Sequence, residues 1–135
     1  MNLQSVLENL KSSEPSSFHV LEPEKAARMK ARTLFIPSAE DVANAIRAIP
    51  EGKTKTIVEL RNDLAAFGNA DTACPAKTIK YWKWLAIVSE SEVSKKLNLS
   101  IPWWRVLKDG KPSRHMPGGV EEQVSRLKTE GVVLK

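Results

Sequence analysis

The stretch Gly68-Asn69-Ala70-Asp71-Thr72-Ala73-Cys74-Pro75-Ala76-Lys77-Thr78 separates two helical runs, and its reading decides the fold. On its near side, Thr56 followed three residues later by Glu59 makes a capping box. Ile57, Leu60, Leu64 and Phe67 then recur at helical spacing, which predicts one buried face. Gly68 to Thr72 is rich in turn formers. Pro75 suits the first position of a helix, where a missing N–H costs nothing, and that helix is expected to run to about Val88. Two helices joined by a short turn, the second led by proline and studded with lysine, match a helix-turn-helix.

Working outward, Ser38 is a good N-cap, with Glu40 and Asp41 in the first turn where the helix dipole favours negative charge. Val42, Ala45, Ile46 and Ile49 give that helix its buried stripe, and Pro50 and Gly52 stop it. The β-branched Thr54 and Thr56 suit a short extended piece. Beyond the second helix, the polar region from Ser89 to Ser100 is expected to contain a further helical turn at Val93 to Leu97. After the segment Trp103-Trp104-Arg105-Val106-Leu107, the pair Asp109-Gly110 signals a tight hairpin, read as a wing. Pro117-Gly118-Gly119 bends the chain into a last helix, with Val120, Val124 and Leu127 inward and Gly131 as the residue after the cap.

Residues 1–33 read differently. Val6, Leu7 and Leu10 line one face of a short helix, Ser12 to Ser17 break it, and a charged helix is expected from Glu24 to Arg32. These residues are expected to form a loosely packed, partly helical extension. Residues 34–135 are expected to form a winged helix-turn-helix, mainly α with a small β-hairpin wing.

The chain has 135 residues, enough for one domain plus a tail. With 27% charged residues, its composition is that of a soluble globular protein. No apolar run approaches a membrane span, and the first residues lack the basic flank and apolar stretch of a secretory signal. A cytoplasmic location is the default expectation. One cysteine forms no internal disulfide, and two distant histidines offer no zinc-ligand spacing. Neither a metal nor an organic cofactor is expected. A net charge of +5 favours a polyanionic partner, because Lys and Arg that neutralise phosphates release counterions.

Three sets of residues carry the functional reading. Lys77, Lys80 and Lys83 recur at intervals of three along the second helix, with Trp84 near the same stripe. Such a face can follow phosphates along a groove, and the short side chain of Thr78 would let the helix N-terminus approach closely. The alternative is an ordinary solvated lysine face. Lys108, Lys111 and Arg114, with His115 beside them, make the wing basic. Trp103 and Trp104 are large rings on a segment read as extended, so alternation places them on opposite sides. Trp103 is expected to stack on a nucleobase in a pocket and Trp104 to pack, with a core role for one indole as the alternative. Cys74 reads as a structural thiol near a helix start, and Glu121 and Glu122 as dipole-stabilised acids.

Pro102-Trp103-Trp104-Arg105-Val106 resembles the reactive Pro-Cys-His-Arg-Val motif of the O6-alkylguanine-DNA alkyltransferases. Tryptophan stands in place of both the acceptor cysteine and the histidine. The order from Ser38 through Ile49 to Thr56, the two helices, this motif, and Gly119 to Val132 is similar to the C-terminal DNA-binding domain of that superfamily. The tryptophan and the tail Arg126-Leu127-Lys128-Thr129-Glu130-Gly131-Val132 look like the alkyltransferase-like proteins, which bind alkylated DNA without repairing it. With neither nucleophile nor base at the motif, the family's alkyl transfer is excluded there. The resemblance therefore implies a protein that is not an enzyme. It would bind double-stranded DNA, recognise O6-alkylguanine or related damage, and signal to another pathway such as nucleotide excision repair. Arg105 would organise a base pocket with Trp103 and Trp104. Lys77 falls at the family's arginine-finger position, and Ile57 stands where the family has a tyrosine on the rotated phosphate. Two other readings stand beside this one: a winged-helix regulator that binds undamaged DNA, and a Trp-lined pocket protein with a different ligand and Cys74 as its only conceivable nucleophile.

Overall fold

A computed structural model describes residues 3–91 and 100–134. The helical turn expected at Val93 to Leu97 lies outside these residues. The fold is mixed α/β and dominated by helix. In chain order the elements are α1 (Leu3–Lys11), β1 (Ser17–Val20), α2 (Pro23–Met29), β2 (Thr33–Ile36), α3 (Ala39–Arg47), β3 (Lys55–Thr56), α4 (Ile57–Phe67), β4 (Thr72–Ala73) and α5 (Pro75–Ser89). A 3-10 turn (Trp103–Arg105), β5 (Val106–Leu107) and α6 (Gly119–Thr129) follow. β2 pairs antiparallel with β1 and parallel with β4, while β3 pairs parallel with β5.

Capping sets the starts of two helices at the centre. Ser38 accepts from the Asp41 backbone and Asp41 answers on the Ser38 N–H. Thr56 and Glu59 do the same for α4. Each box satisfies two main-chain donors that a helix start otherwise leaves open. Val42, Ile46 and Ile49 from the α3 region meet Leu60 and Leu64 of α4 and Leu85 of α5 in one core. α3, α4 and α5 pack pairwise.

The first 33 residues are more firmly held than a loosely packed extension. Val6 of α1 is fully buried, and α1 packs on α5. β1 and β2 form a four-residue antiparallel ladder, so a boundary at 33/34 falls inside β2. Asp71 closes the other side: its carboxylate accepts from the backbone N–H groups of Arg32 and Thr33, and those bonds hold it below the usual carboxylate value. A four-residue strand carries too weak a periodicity to be read alone; its partner strand is what defines it.

Two expected inward faces are turned differently. Phe67 ends α4 with 69% of its surface exposed, its ring meeting Phe35 edge-on with centroids 6.0 Å apart. Phe35 in turn occupies the space over Gly68 where a side chain would sit. In α6, Val120 and Val124 are exposed at 41% and 38%, and the buried positions are Gln123 and Leu127. The helix is rotated because Gln123 has three backbone partners to satisfy inside.

Candidate nucleic-acid interface

α5 is the lysine-bearing helix. Its start is held by Arg61 of α4, whose guanidinium donates to the Ala73 carbonyl at 3.1 Å and to the Thr72 hydroxyl at 3.2 Å. Cys74 is the N-cap and Pro75 the first helical residue. Thr78, Tyr81, Trp82 and Leu85 are buried, which leaves Lys77, Lys80, Lys83 and Trp84 half-buried on the outer side. Thr78 does not lie on the DNA-facing side expected of it: its hydroxyl donates to the Cys74 carbonyl at 2.8 Å and is buried, so it cannot meet a phosphate. The Lys80 ammonium lies 4.9 Å from the Trp84 ring centre and 5.7 Å from that of Tyr81, and Lys77 lies 5.9 Å from Tyr81. Burial against these rings and the neighbouring Lys77 amine hold Lys80 below the usual lysine value, against weaker opposing pulls from Cys74 and Glu14.

Pro102-Trp103-Trp104-Arg105 is not extended. It forms a 3-10 turn, closed by the N–H of Val106 on the Trp103 carbonyl, and the two indoles lie side by side instead of on opposite faces. Their ring centres are 5.8 Å apart, edge to face. Trp103 has 0% of its surface exposed and donates its indole N–H to Glu90 at 3.2 Å. The pocket role expected of Trp103 is not met, since Trp103 is core, and Trp104 is half-buried against it. A fully buried ring offers no face for a base to stack on. Trp104 donates to Glu130 at 3.0 Å.

Arg105 is also committed inward. It donates to both Glu130 oxygens, at 3.0 and 2.8 Å, and to the Ile49 carbonyl at 2.7 Å. Its Nε–H and one N–H on each terminal nitrogen are engaged inward, so it organises the turn by hydrogen bonds. Glu130 sits below the usual glutamate value, chiefly through Arg105, with Trp104 and the Gly52 N–H adding to it against burial.

Two residues that sequence reasoning missed complete this unit. Arg126 stacks over both indoles, at 5.1 and 5.0 Å from the ring centres, and ion-pairs with Glu90 and Glu122. For Glu90, burial raises the pKa but hydrogen bonds from Arg126 and Trp103 outweigh it, leaving a net lowering. Gln123, fully buried, accepts from the Ser113 N–H at 3.0 Å and donates to the carbonyls of Trp104 and Val106 at 3.1 and 2.7 Å. The capping pattern and apolar spacing of α6 hold no signal for it.

Beyond β5, Asp109 and Gly110 both take positive φ, 53° and 74°, and Lys108 and Lys111 exchange main-chain hydrogen bonds. The tight turn has the expected geometry, but the ladder behind it is a single bridge. Lys108, Lys111, Arg114 and His115 are all exposed. Ile57 is buried at the start of α4. Cys74 is half-buried, and among the described residues no group of three or more His, Cys, Asp and Glu converges. A cavity of about 850 Å³ lies between α1, α3 and α5, lined by Leu7, Leu10, Glu14, Glu40 and Leu85, away from the Trp pair. No helix among the described residues is long and apolar enough to cross a membrane. Compared with known proteins, the chain matches no family model, no curated protein and no solved structure.

Proposed function

We propose that this protein binds duplex DNA without catalysing alkyl transfer, in the manner of the alkyltransferase-like proteins, using a winged helix-turn-helix formed by α3, α4, α5 and the turn after β5. The observation that carries this reading is the outer side of α5. Lys77, Lys80, Lys83 and Trp84 are half-buried along this side, the Lys80 ammonium lies 4.9 Å from the Trp84 ring centre, and none of the three lysines ion-pairs with an acid among the described residues. Ammonium groups without an acid partner on one helix side suit a phosphate backbone. The exposed Lys108, Lys111 and Arg114 supply a second group of cations. Recognition of O6-alkylguanine would rest on Trp104, the indole of the pair that is not fully buried.

A second reading, binding to undamaged DNA, is favoured by the burial of Trp103, which removes the larger part of the expected base pocket. Binding to duplexes with and without one O6-alkylguanine, across a salt series, separates the two. Lys83→Ala should weaken both complexes and reduce the salt slope by about one unit for a lost phosphate contact. Trp104→Ala should cost roughly 1–3 kcal/mol on the lesion duplex alone if that ring stacks on the damaged base. Equal losses on the two duplexes would decide for undamaged DNA, and salt-independent binding would reject both.

A further inference from the structure

β1 is an end strand of its sheet, and among the described residues no strand lies on its outer side. Two observations fix which main-chain groups point there. Leu21, just past the strand, donates to the Arg32 carbonyl at 2.9 Å, which continues the register of β1 on β2 and makes these two a hydrogen-bonded pair. Phe35, the partner of Phe18, turns its carbonyl the other way and accepts from the Cys74 N–H at 2.9 Å, beside β4. Hydrogen-bonded and open pairs alternate along an antiparallel ladder, so Ser17 and His19 bond to β2 while Phe18 and Val20 direct their N–H and C=O groups outward. Among the described residues no hydrogen bond reaches those outward groups.

The side chains of this edge are apolar. Phe18 and Val20 are 50% and 79% exposed, and alternation puts both on one sheet face. Phe35 lies opposite Phe18 on that face, and its ring meets the exposed Phe67, so apolar surface runs from the strand edge to the end of α4. The strand Ser17-Phe18-His19-Val20 holds no lysine, acid or proline, the residues that ordinarily keep an open edge from pairing. We propose that β1 is the interface of a symmetric homodimer, in which it pairs antiparallel with β1 of a second copy. Outward groups pair only with outward groups, and Phe18 opposite Val20 of the other copy uses both residues of both strands, giving four main-chain hydrogen bonds about a two-fold axis at His19. Residues opposite each other share a face, so the same alignment gathers Phe18 and Val20 of both copies into one apolar patch. A second copy matches spacing and apolar pattern by construction; an unrelated strand would have to reproduce both. The contact falls at the small end of the interface range, below about 1,200 Å², so the dimer is weak and its population rises with concentration. No residue of α5 takes part, so the proposal stands apart from the duplex-binding reading.

Sedimentation equilibrium of the whole protein over a concentration series reads the association, and the parent should pass from monomer to dimer. Val20→Lys sets an ammonium group from each copy into the patch and should weaken association by about tenfold or more. Val133→Lys, at a valine 84% exposed elsewhere, should leave it within about twofold. Hydrogen exchange reads the register: the Phe18 and Val20 amides should gain about tenfold protection as concentration rises, while the His19 amide, bonded to β2, is protected throughout. His19→Cys should cross-link to its copy under mild oxidation about tenfold faster than Val20→Cys, because position 19 faces itself across the axis. A monomer at every concentration would overturn the proposal and leave the edge to a strand from another protein. A dimer that Val20→Lys does not weaken, or one that leaves the Phe18 and Val20 amides unprotected, would overturn it by placing the interface elsewhere.

Discussion

The indole N–H of Trp82 donates to the main-chain carbonyl of Trp103 at 3.0 Å, and both side chains are fully buried. This bond ties the inner side of α5 to the Pro-Trp-Trp-Arg turn, so the helix that carries the lysines and the turn that carries the tryptophans are joined directly in the core. The Trp103 carbonyl also accepts from Val106, which makes it the point where the 3-10 turn, β5 and α5 meet.

Trp82→Phe should therefore destabilise the fold by roughly 2–3 kcal/mol, combining one lost buried hydrogen bond with a smaller ring in a packed core. The carbonyl keeps its bond to Val106, which limits the penalty. Denaturant unfolding of parent and variant measures the difference, and an unchanged midpoint would show that the bond is not holding the two elements together.

The two tryptophans should separate in their effects. Trp103→Ala empties a buried site and should cost about 3–5 kcal/mol, whereas Trp104→Ala, at a half-buried site, should cost clearly less. Thermal unfolding of the two variants side by side decides this; equal losses would contradict the difference in burial between the two rings.

Stability should depend on pH through Glu130 and Glu90. Both carboxylates lie below the usual glutamate value of 4.5 in the folded protein. A depressed folded pKa means that their contribution is complete above that value and is lost as pH falls below it. Glu130→Gln, which leaves Arg105 without its charge partner, should lower stability by roughly 2–3 kcal/mol at neutral pH. The gap to the parent should be complete above the usual glutamate value of 4.5 and close as pH falls through the lowered folded value, where the parent's own carboxyl protonates. A gap that stays constant down to low pH would mean that shape, and not charge, holds the pair.

Gln123→Leu keeps the volume but strands the Ser113 N–H and withdraws the donor from two carbonyls. A cost of about 2–4 kcal/mol is expected, since each unpaired buried group carries its own desolvation penalty. Hydrogen exchange at the Ser113 amide should accelerate in the variant more than at α3 amides; uniform acceleration would point to global loss instead.

Much of the central framework was legible in the sequence. Ser38, Thr56 with Glu59, Pro75, Asp109-Gly110 and Gly131 act through their own backbone neighbourhood, so their chemistry is complete within a few residues. The apolar spacing of α3 and α4 is likewise a local signal, and it failed only at Phe67, where the helix ends beyond the core's edge and the ring packs on Phe35 across a sheet.

The sequence by itself determined where α3, α4, α5 and α6 begin, that the motif at Trp103-Trp104 carries no nucleophile, and that the chain holds excess positive charge. Only the tertiary structure decided which side chains face inward. Trp103, Thr78 and Gln123 are buried, and Arg105 is spent on Glu130 and Ile49, because each finds its partner at a distance in sequence that no local pattern encodes. The same holds for residues 1–33, whose strand exists through pairing with β2 and whose first helix is secured by burying Val6 beneath it. Hydrogen bonds and packing between distant segments choose among the faces that periodicity leaves open, and at this site they left the lysines of α5 outside.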